Sequence, residues 1–140
     1  KAKKNNMEEK HNNATSQRPE GDRMLDAALV YIDLPMFTKQ IKNEPAWENS
    51  DRNAITVFKS NGLRIVLIAL QQGAEMAKHT ANGMISVQVL EGKIKFSANN
   101  QTVDLNSGQM ITLHEQIPHS VLALQESIFL LTLSVTTSAI

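Results

Sequence analysis

Hydrophobic and polar residues alternate along most of the chain after residue 53. The alternation is clearest from Met84 to Leu90, where aliphatic side chains are separated by Ser86 and Gln88. A period of two places the aliphatic residues on one face of a strand. Strands are predicted at residues 55–58, 63–70, 84–90, 93–96, 102–105, 110–113, 120–124 and 128–135. The connections are too short for crossover helices, which predicts an all-β sandwich or barrel.

One pair of predicted strands is joined by Asn61 and Gly62. These residue types tolerate the positive φ angles of a tight turn, so the pattern predicts a hairpin. The second strand of this hairpin, Leu63 to Leu70, is apolar on both faces. A strand of a two-layer barrel buries only one face in the barrel. We therefore expect the other face to be covered by an N-terminal arm or by a second copy of the chain.

The chain divides into a tail, an arm and a barrel. Residues 1–22, which include His11, are mostly Lys, Asn, Glu, Gln and Ser. Because they have almost nothing to bury, they are predicted to form a flexible tail. Residues 23–52 are assigned to an N-terminal arm and residues 53–137 to the barrel.

The arm is predicted to contain a short strand and a helix. The strand is expected at Leu29–Ile32, and the helix begins at Pro35 with Phe37 and Ile41 on one face. Trp47 is the only tryptophan in the chain. Large aromatic side chains usually pack, so we interpret Trp47 as the anchor that holds the arm on the barrel.

Composition excludes several classes of function. Lys and Arg number 14 and Asp and Glu number 14, so the formal net charge is +0 and neither nucleic acid nor a membrane surface is an expected partner. The absence of cysteine excludes disulfides, thiolate metal sites and cysteine nucleophiles. The longest strongly apolar run, residues 65–70, is shorter than the roughly 20 residues of a membrane-spanning helix. No apolar segment follows the basic N-terminus, so a cytoplasmic protein is expected.

Most of the histidines are placed where a binding site could form. His79, His114 and His119 lie next to predicted turns of the strand-rich region. Strand ends from distant segments converge at the opening of an antiparallel barrel, and imidazoles gathered there are typical metal ligands or acid and base groups. We therefore expect these histidines to share one mouth of the barrel.

The sequence around these histidines resembles the two motifs of the cupin superfamily. Gly73, His79 and Gly92 match the first motif, G-x5-H-x-H-x3-E-x6-G. Gly108 and His119 match the second, G-x5-P-x-G-x2-H-x3-N. The chain is similar to small, single-domain, RmlC-like bacterial cupins. The resemblance implies a double-stranded β-helix, a jelly-roll barrel, here with a short N-terminal helical arm, and it implies a homodimer.

In the family, three histidines and one glutamate hold a divalent iron, manganese, nickel, copper or zinc ion. Carried over to this chain, the resemblance gives His79 and His119 as metal ligands. Ala81 stands at the position of the second histidine, Ile85 at that of the glutamate, and His114 at that of the second motif's proline. The loss of a carboxylate removes the negative charge that offsets the dication, so the motif is degenerate and any metal site is weak or incomplete.

Three interpretations of this site remain open. In the first, the barrel binds a small molecule in a pocket that is more apolar than the family's metal site. In the second, it is a metal-dependent enzyme of dioxygenase or isomerase type that uses His79 and His119. In the third, these two residues are hydrogen-bonded core groups. The sequence does not decide whether the chain is an enzyme. The candidate pocket residues are His79, Ala81, Ile85, Val87, His114, His119 and Val121.

Overall fold

The computed structural model describes residues 10–12 and 23–135 of the chain. Two helices precede the main strands: α1 (Leu34–Asn43) and α2 (Pro45–Asn49). The strands are β1 (Lys10–Asn12), β2 (Arg23–Asp26), β3 (Arg52–Lys59), β4 (Leu63–Leu70), β5 (Glu75–His79), β6 (Gly83–Glu91), β7 (Lys93–Ala98), β8 (Gln101–Asn106), β9 (Met110–Leu113), β10 (His119–Ala123) and β11 (Ser127–Val135).

The main strands form two antiparallel sheets. One sheet has four strands in the order β5-β10-β7-β8, and the other has five in the order β3-β4-β11-β6-β9. Every strand that the alternating pattern predicted after residue 53 is present, so the all-β prediction is confirmed. The pattern missed β5, because only its second position is partly buried and the other four are exposed.

The barrel interior is a hydrophobic core between the two sheets. Its fully buried members include Val89, Ile94 and Phe129, which come from three different strands. Gly73, Gly92 and Gly108, the glycines that match the motifs, occupy turns with φ of 87°, 89° and 89°. Glycine alone adopts this backbone conformation without strain.

The arm covers the outer face of the five-stranded sheet. Phe37 and Ile41 of α1 and Trp47 of α2 pack against the side of β4 that carries Leu67 and Ala69. The three arm side chains are at most 9% exposed, and burying each contributes roughly 1.5–3 kcal/mol. The predicted helix and the anchoring role of Trp47 are confirmed, and the arm provides the cover that the apolar β4 required.

One local prediction in the arm was wrong, and the first hairpin, although correctly predicted, has a turn of a different conformation. Leu29–Ile32 is irregular: Leu29 and Tyr31 are both 85% exposed, and they pair with no strand in the part of the chain that the structure describes. The β3–β4 hairpin forms, but neither Asn61 nor Gly62 lies in the left-handed region. The Ser60 hydroxyl instead accepts the N–H groups at positions 62 and 63 and closes the turn.

The predicted tail is described only at residues 10–12, where β1 pairs with β2. The remainder of residues 1–22 and the last predicted barrel residues, 136 and 137, lie outside the described residues. Within the part of the chain that the structure describes, no helix has the length and apolar character needed to cross a membrane.

Candidate functional site

His79 and His119 face each other at one end of the barrel. His79 is the last residue of β5 and His119 the first of β10, and their Cα atoms are direct partners in the ladder. Their ring centroids are 4.3 Å apart, with the ring planes inclined at 59°. We call this the histidine pair, and the barrel end formed by loops 80–82 and 114–118 the mouth.

Both rings are oriented by hydrogen bonds to the backbone. His79 Nδ1 lies 2.7 Å from the carbonyl oxygen of Ala77, and His119 Nδ1 lies 2.9 Å from that of Ile117. A carbonyl oxygen can only accept, so each Nδ1 carries a hydrogen and donates it. Neither Nε2 has a partner among the residues that the structure describes. The pair therefore presents two Nε2 atoms that are free to bind a ligand.

The two imidazoles have different surroundings. His119 is 5% exposed and stacks on Phe96, with ring centroids 5.7 Å apart and planes at 14°. Burial lowers the pKa of His119 below 6.5, and the neighbouring His79 lowers it further, although the hydrogen bond to the Ile117 carbonyl acts in the opposite direction. At neutral pH His119 is therefore uncharged, and its Nε2 is a hydrogen-bond acceptor. His79 is exposed.

The loops at the mouth are tied together by Gln116. Its N–H donates to the carbonyl oxygen of Ala81 at 3.0 Å, and its side-chain amide donates to Asn82 Oδ1 at 2.8 Å. Gln116 stands where the second motif has glycine, and its φ is 64°. A residue with a Cβ is strained there by roughly 1–2 kcal/mol, and such strain concentrates at functional sites. Sequence reasoning did not select Gln116, although its glycine position in the motif was the available signal.

The residues at the histidine pair do not fit the four-ligand metal site of the resemblance. Ile85 is 4% exposed and packs in the core, so no carboxylate replaces the missing glutamate. Glu75, the first residue of β5, is exposed, and Glu91 Oε1 forms an ion pair with Lys42 Nζ at 3.4 Å. Among the described residues, no group of three His, Cys, Asp or Glu side chains could hold a metal ion. Two imidazoles without a carboxylate supply half of a usual ligand set.

The other sequence candidates are distributed over core and surface. Val87 and Val121 are 2% and 4% exposed and pack with Ile85 inside the barrel. Ala81 packs at the edge of the same cluster. His114 begins the 114–118 loop of the mouth, but no group of three potential metal ligands among the described residues includes it. Its side chain is 77% exposed, lies 3.5 Å from the carboxylate of the adjacent residue, and lines a separate groove of about 250 Å³.

The architecture that holds the histidine pair is that of a known class of antiparallel barrels. A cupin superfamily protein from Desulfitobacterium hafniense is 14% identical with a TM-score of 0.59, covering 61% of this chain and 78% of that chain. An RmlC-like cupin from Shewanella frigidimarina is 18% identical with a TM-score of 0.59, covering 63% and 79%. Salicylate 1,2-dioxygenase from Pseudoaminobacter salicylatoxidans, solved as adducts with gentisate, is 19% identical with a TM-score of 0.65, covering 74% and 32%.

These similarities show the fold, and the chain has the cupin fold. The predicted jelly-roll barrel with a helical arm, and the resemblance to small RmlC-like cupins, are confirmed at that level. The chain spans only about a third of the length of the dioxygenase. No family model matches the chain, and no curated protein sequence is similar to it.

Proposed function

We propose that this protein binds a small molecule at the mouth of the barrel, with the histidine pair as its polar anchor. The observation that carries the proposal is the pair of Nε2 atoms, which face no described partner while both Nδ1 atoms are held by the backbone. Orienting two imidazoles in this way leaves one nitrogen of each for a ligand.

The surroundings of the pair favour an organic ligand with a hydrogen-bond donor. The side chains of Met76, Ala81 and Ala98 are partly buried at the edge of the core, and they are apolar. A few directed polar groups on an apolar lining are typical of small-molecule sites. Because His119 is neutral, its Nε2 accepts a hydrogen bond from a hydroxyl or a protonated group of the ligand.

A thermal-shift screen of metabolite classes tests this proposal. Hydroxy acids, sugars, aromatic acids and amines would be compared on the wild type, His119→Ala and His114→Ala. We expect at least one class to stabilise the wild type and the His114 variant but not the His119 variant, since a ligand at 100 times its Kd raises stability by about 2.7 kcal/mol. Equal stabilisation of both variants, or none of the wild type by any class, contradicts the proposal.

The alternative is a metal-dependent enzyme of dioxygenase or isomerase type, with His79 and His119 as the metal ligands. The pair supports it, since imidazole nitrogens suit iron, nickel, copper, manganese and zinc to different degrees. The buried Ile85 opposes it, because no negative charge balances the ion. We therefore rank weak metal binding below organic-ligand binding.

Elemental analysis and calorimetry distinguish the two functions. The protein is purified without a histidine tag, and iron, nickel and manganese are titrated into the wild type, His79→Ala and His114→Ala. Near-stoichiometric metal that is lost only in the His79 variant favours the enzyme. Metal far below one per chain with no binding heat rules it out.

We also propose that the chain forms a homodimer through the arm. Leu29 and Tyr31 are 85% exposed, and with Met36 they line an apolar groove of about 430 Å³ next to α1. Large apolar side chains clustered on a surface are typical of protein contacts. Light scattering at micromolar concentration should give a dimer that dissociates in Tyr31→Glu, whereas a wild-type monomer contradicts the proposal.

A further inference from the structure

The outer face of the four-stranded sheet carries a groove next to the 114–118 loop of the mouth. The groove encloses about 530 Å³, within the roughly 300–1,000 Å³ of small-molecule sites. Its lining residues are Lys78, Ser97, Ala98, Asn99, Asn100, Gln101, Thr102, Ile117, Pro118 and Ser120. Most of them are polar and uncharged, and the lining contains one basic residue and no acidic one.

The floor of the groove is a row of hydroxyl groups across neighbouring strands. Ser120 of β10 pairs with Ser97 of β7, and Ser97 pairs with Thr102 of β8. The hydroxyl oxygens of Ser97 and Thr102 are 3.2 Å apart. The three residues share one face because directly paired residues in a ladder point to the same side of a sheet. Each hydroxyl both donates and accepts hydrogen bonds.

A β-bulge adds a positive charge to the end of this row. His119 pairs with His79 and Val121 with Met76, so Ala77 and Lys78 together oppose Ser120. Such a bulge redirects a side chain, and here Lys78 joins the lining of the groove while the neighbouring histidine keeps its place in the pair. Lys78 forms no ion pair with any residue that the structure describes.

The walls of the groove are a rigid turn and an apolar loop. Asn99 and Asn100 have φ of 52° and 63°, the conformation of the tight two-residue turn that joins β7 to β8. Their side chains add amide donors and acceptors on one wall. Ile117 and Pro118 form the other wall and offer carbon surface. A tight turn and a sheet lose little freedom when a ligand binds.

We propose that this groove binds a monosaccharide that carries one carboxylate, a sugar acid. Hydroxyls and amides match the donors and acceptors of a polyhydroxylated ring, and the apolar wall matches its C–H face. One lysine, with no acidic residue among the described lining residues, matches one negative charge. A phosphate monoester, which carries a charge of about −1.5 to −2, would require more cationic groups than the lining provides. We name this site the sugar-acid groove; it shares Ile117 and Pro118 with the mouth, but neither His79 nor His119 is among its lining residues.

Titration of the full chain with sodium glucuronate, followed by amide chemical shifts, tests the proposal. We expect shifts confined to residues 97–102 and 117–120 and to Lys78, and about three- to fivefold weaker binding in Lys78→Gln, which is the upper part of the range that exposed ion pairs support. Thr102→Val should weaken binding as well, because it removes a hydroxyl at similar volume. Lys59→Gln is the matched control, because Lys59 is exposed on the other sheet. This variant should bind glucuronate as the wild type does.

Two comparison ligands make the chemistry specific. Glucose, which lacks the charge, should bind at least threefold more weakly than glucuronate. Tighter binding of glucose 6-phosphate than of glucuronate would overturn the assignment of a carboxylate. Unchanged glucuronate affinity in Lys78→Gln, or shifts centred on loop 80–82 of the mouth, would overturn the site. Failure of the proposed function would appear in the thermal-shift screen of His119→Ala, and failure of this groove in the glucuronate affinity of Lys78→Gln, so the two failures are distinguishable.

Discussion

Replacing Gly92 by alanine should destabilise the barrel far more than its position in a surface turn implies. Gly92 joins β6 to β7 with φ of 89°, which costs alanine roughly 1–2 kcal/mol. A Cβ at this position would overlap the carbonyl oxygen of Glu126 and lie 2.5 Å from Ser127 Oγ. Ser127 is fully buried, and its Oγ accepts the N–H of Lys93 at 2.9 Å. Overpacking of such a site costs roughly a further 1–3 kcal/mol.

The expected loss is therefore roughly 2–5 kcal/mol, a large part of a typical folding free energy of about 5–15 kcal/mol. Gly73→Ala and Gly108→Ala are matched controls, because their φ angles are 87° and 89° and an added Cβ meets nothing within 4 Å. They should lose only roughly 1–2 kcal/mol. Urea unfolding followed by the fluorescence of Trp47, the only tryptophan, measures all three. If Gly92→Ala and Gly108→Ala lose the same free energy, the steric reasoning is refuted.

Three further predictions concern pH and the arm. The pKa of His119 is lowered from 6.5 in the folded protein, so the unfolded chain binds a proton at this residue more readily. The free energy of unfolding therefore keeps its full value above pH 6.5 and decreases as the pH falls below it. Urea midpoints from pH 8 to 5 should fall less steeply in His119→Asn, and parallel profiles would contradict this. Trp47→Ala should lower the free energy of unfolding by roughly 3–5 kcal/mol, whereas Met36→Ala, at a residue that is 50% exposed, should lower it by under about 0.5 kcal/mol. Unfolding followed by circular dichroism measures both, and equal losses would disprove the anchoring role of Trp47. Asp33 Oδ1 accepts the Met36 N–H at 3.2 Å as the N-cap of α1, so Asp33→Ala should cost about 1 kcal/mol. Asp33→Asn should retain most of this stability, and an equal loss in both variants would argue against the cap.

The barrel could be predicted because each of its strands buries one face, so that polar and apolar side chains alternate along the sequence. The prediction failed where burial does not decide the structure. Strand β5 is held by backbone pairing with β10, and its side chains are almost all exposed, so it carries no alternation. Leu29–Ile32 has strand-forming residues but no partner strand among the described residues, and composition alone does not reveal a missing partner.

The candidate site was predictable in part, from motif positions. The pairing of His79 with His119 follows from the fold that the motifs imply, and the structure places them in contact. The position of His114 depends on the direction of a loop, which no periodicity encodes. The sugar-acid groove was not predicted at all, because its hydroxyl row combines residues from three strands and depends on the bulge at Lys78.

The two members of the histidine pair belong to strands that differ in local stability. Among the described strands, β5 is an edge strand that is bonded only to β10, whereas β10 is bonded on both sides. Edge strands open by local fluctuation at a smaller free-energy cost than interior strands do. The pair therefore exists only in the fraction of molecules in which β5 is closed, and opening removes His79 while His119 stays stacked on Phe96. Amide hydrogen exchange should be faster in residues 75–79 than in 119–123, and a ligand that bridges both rings should slow exchange selectively in β5.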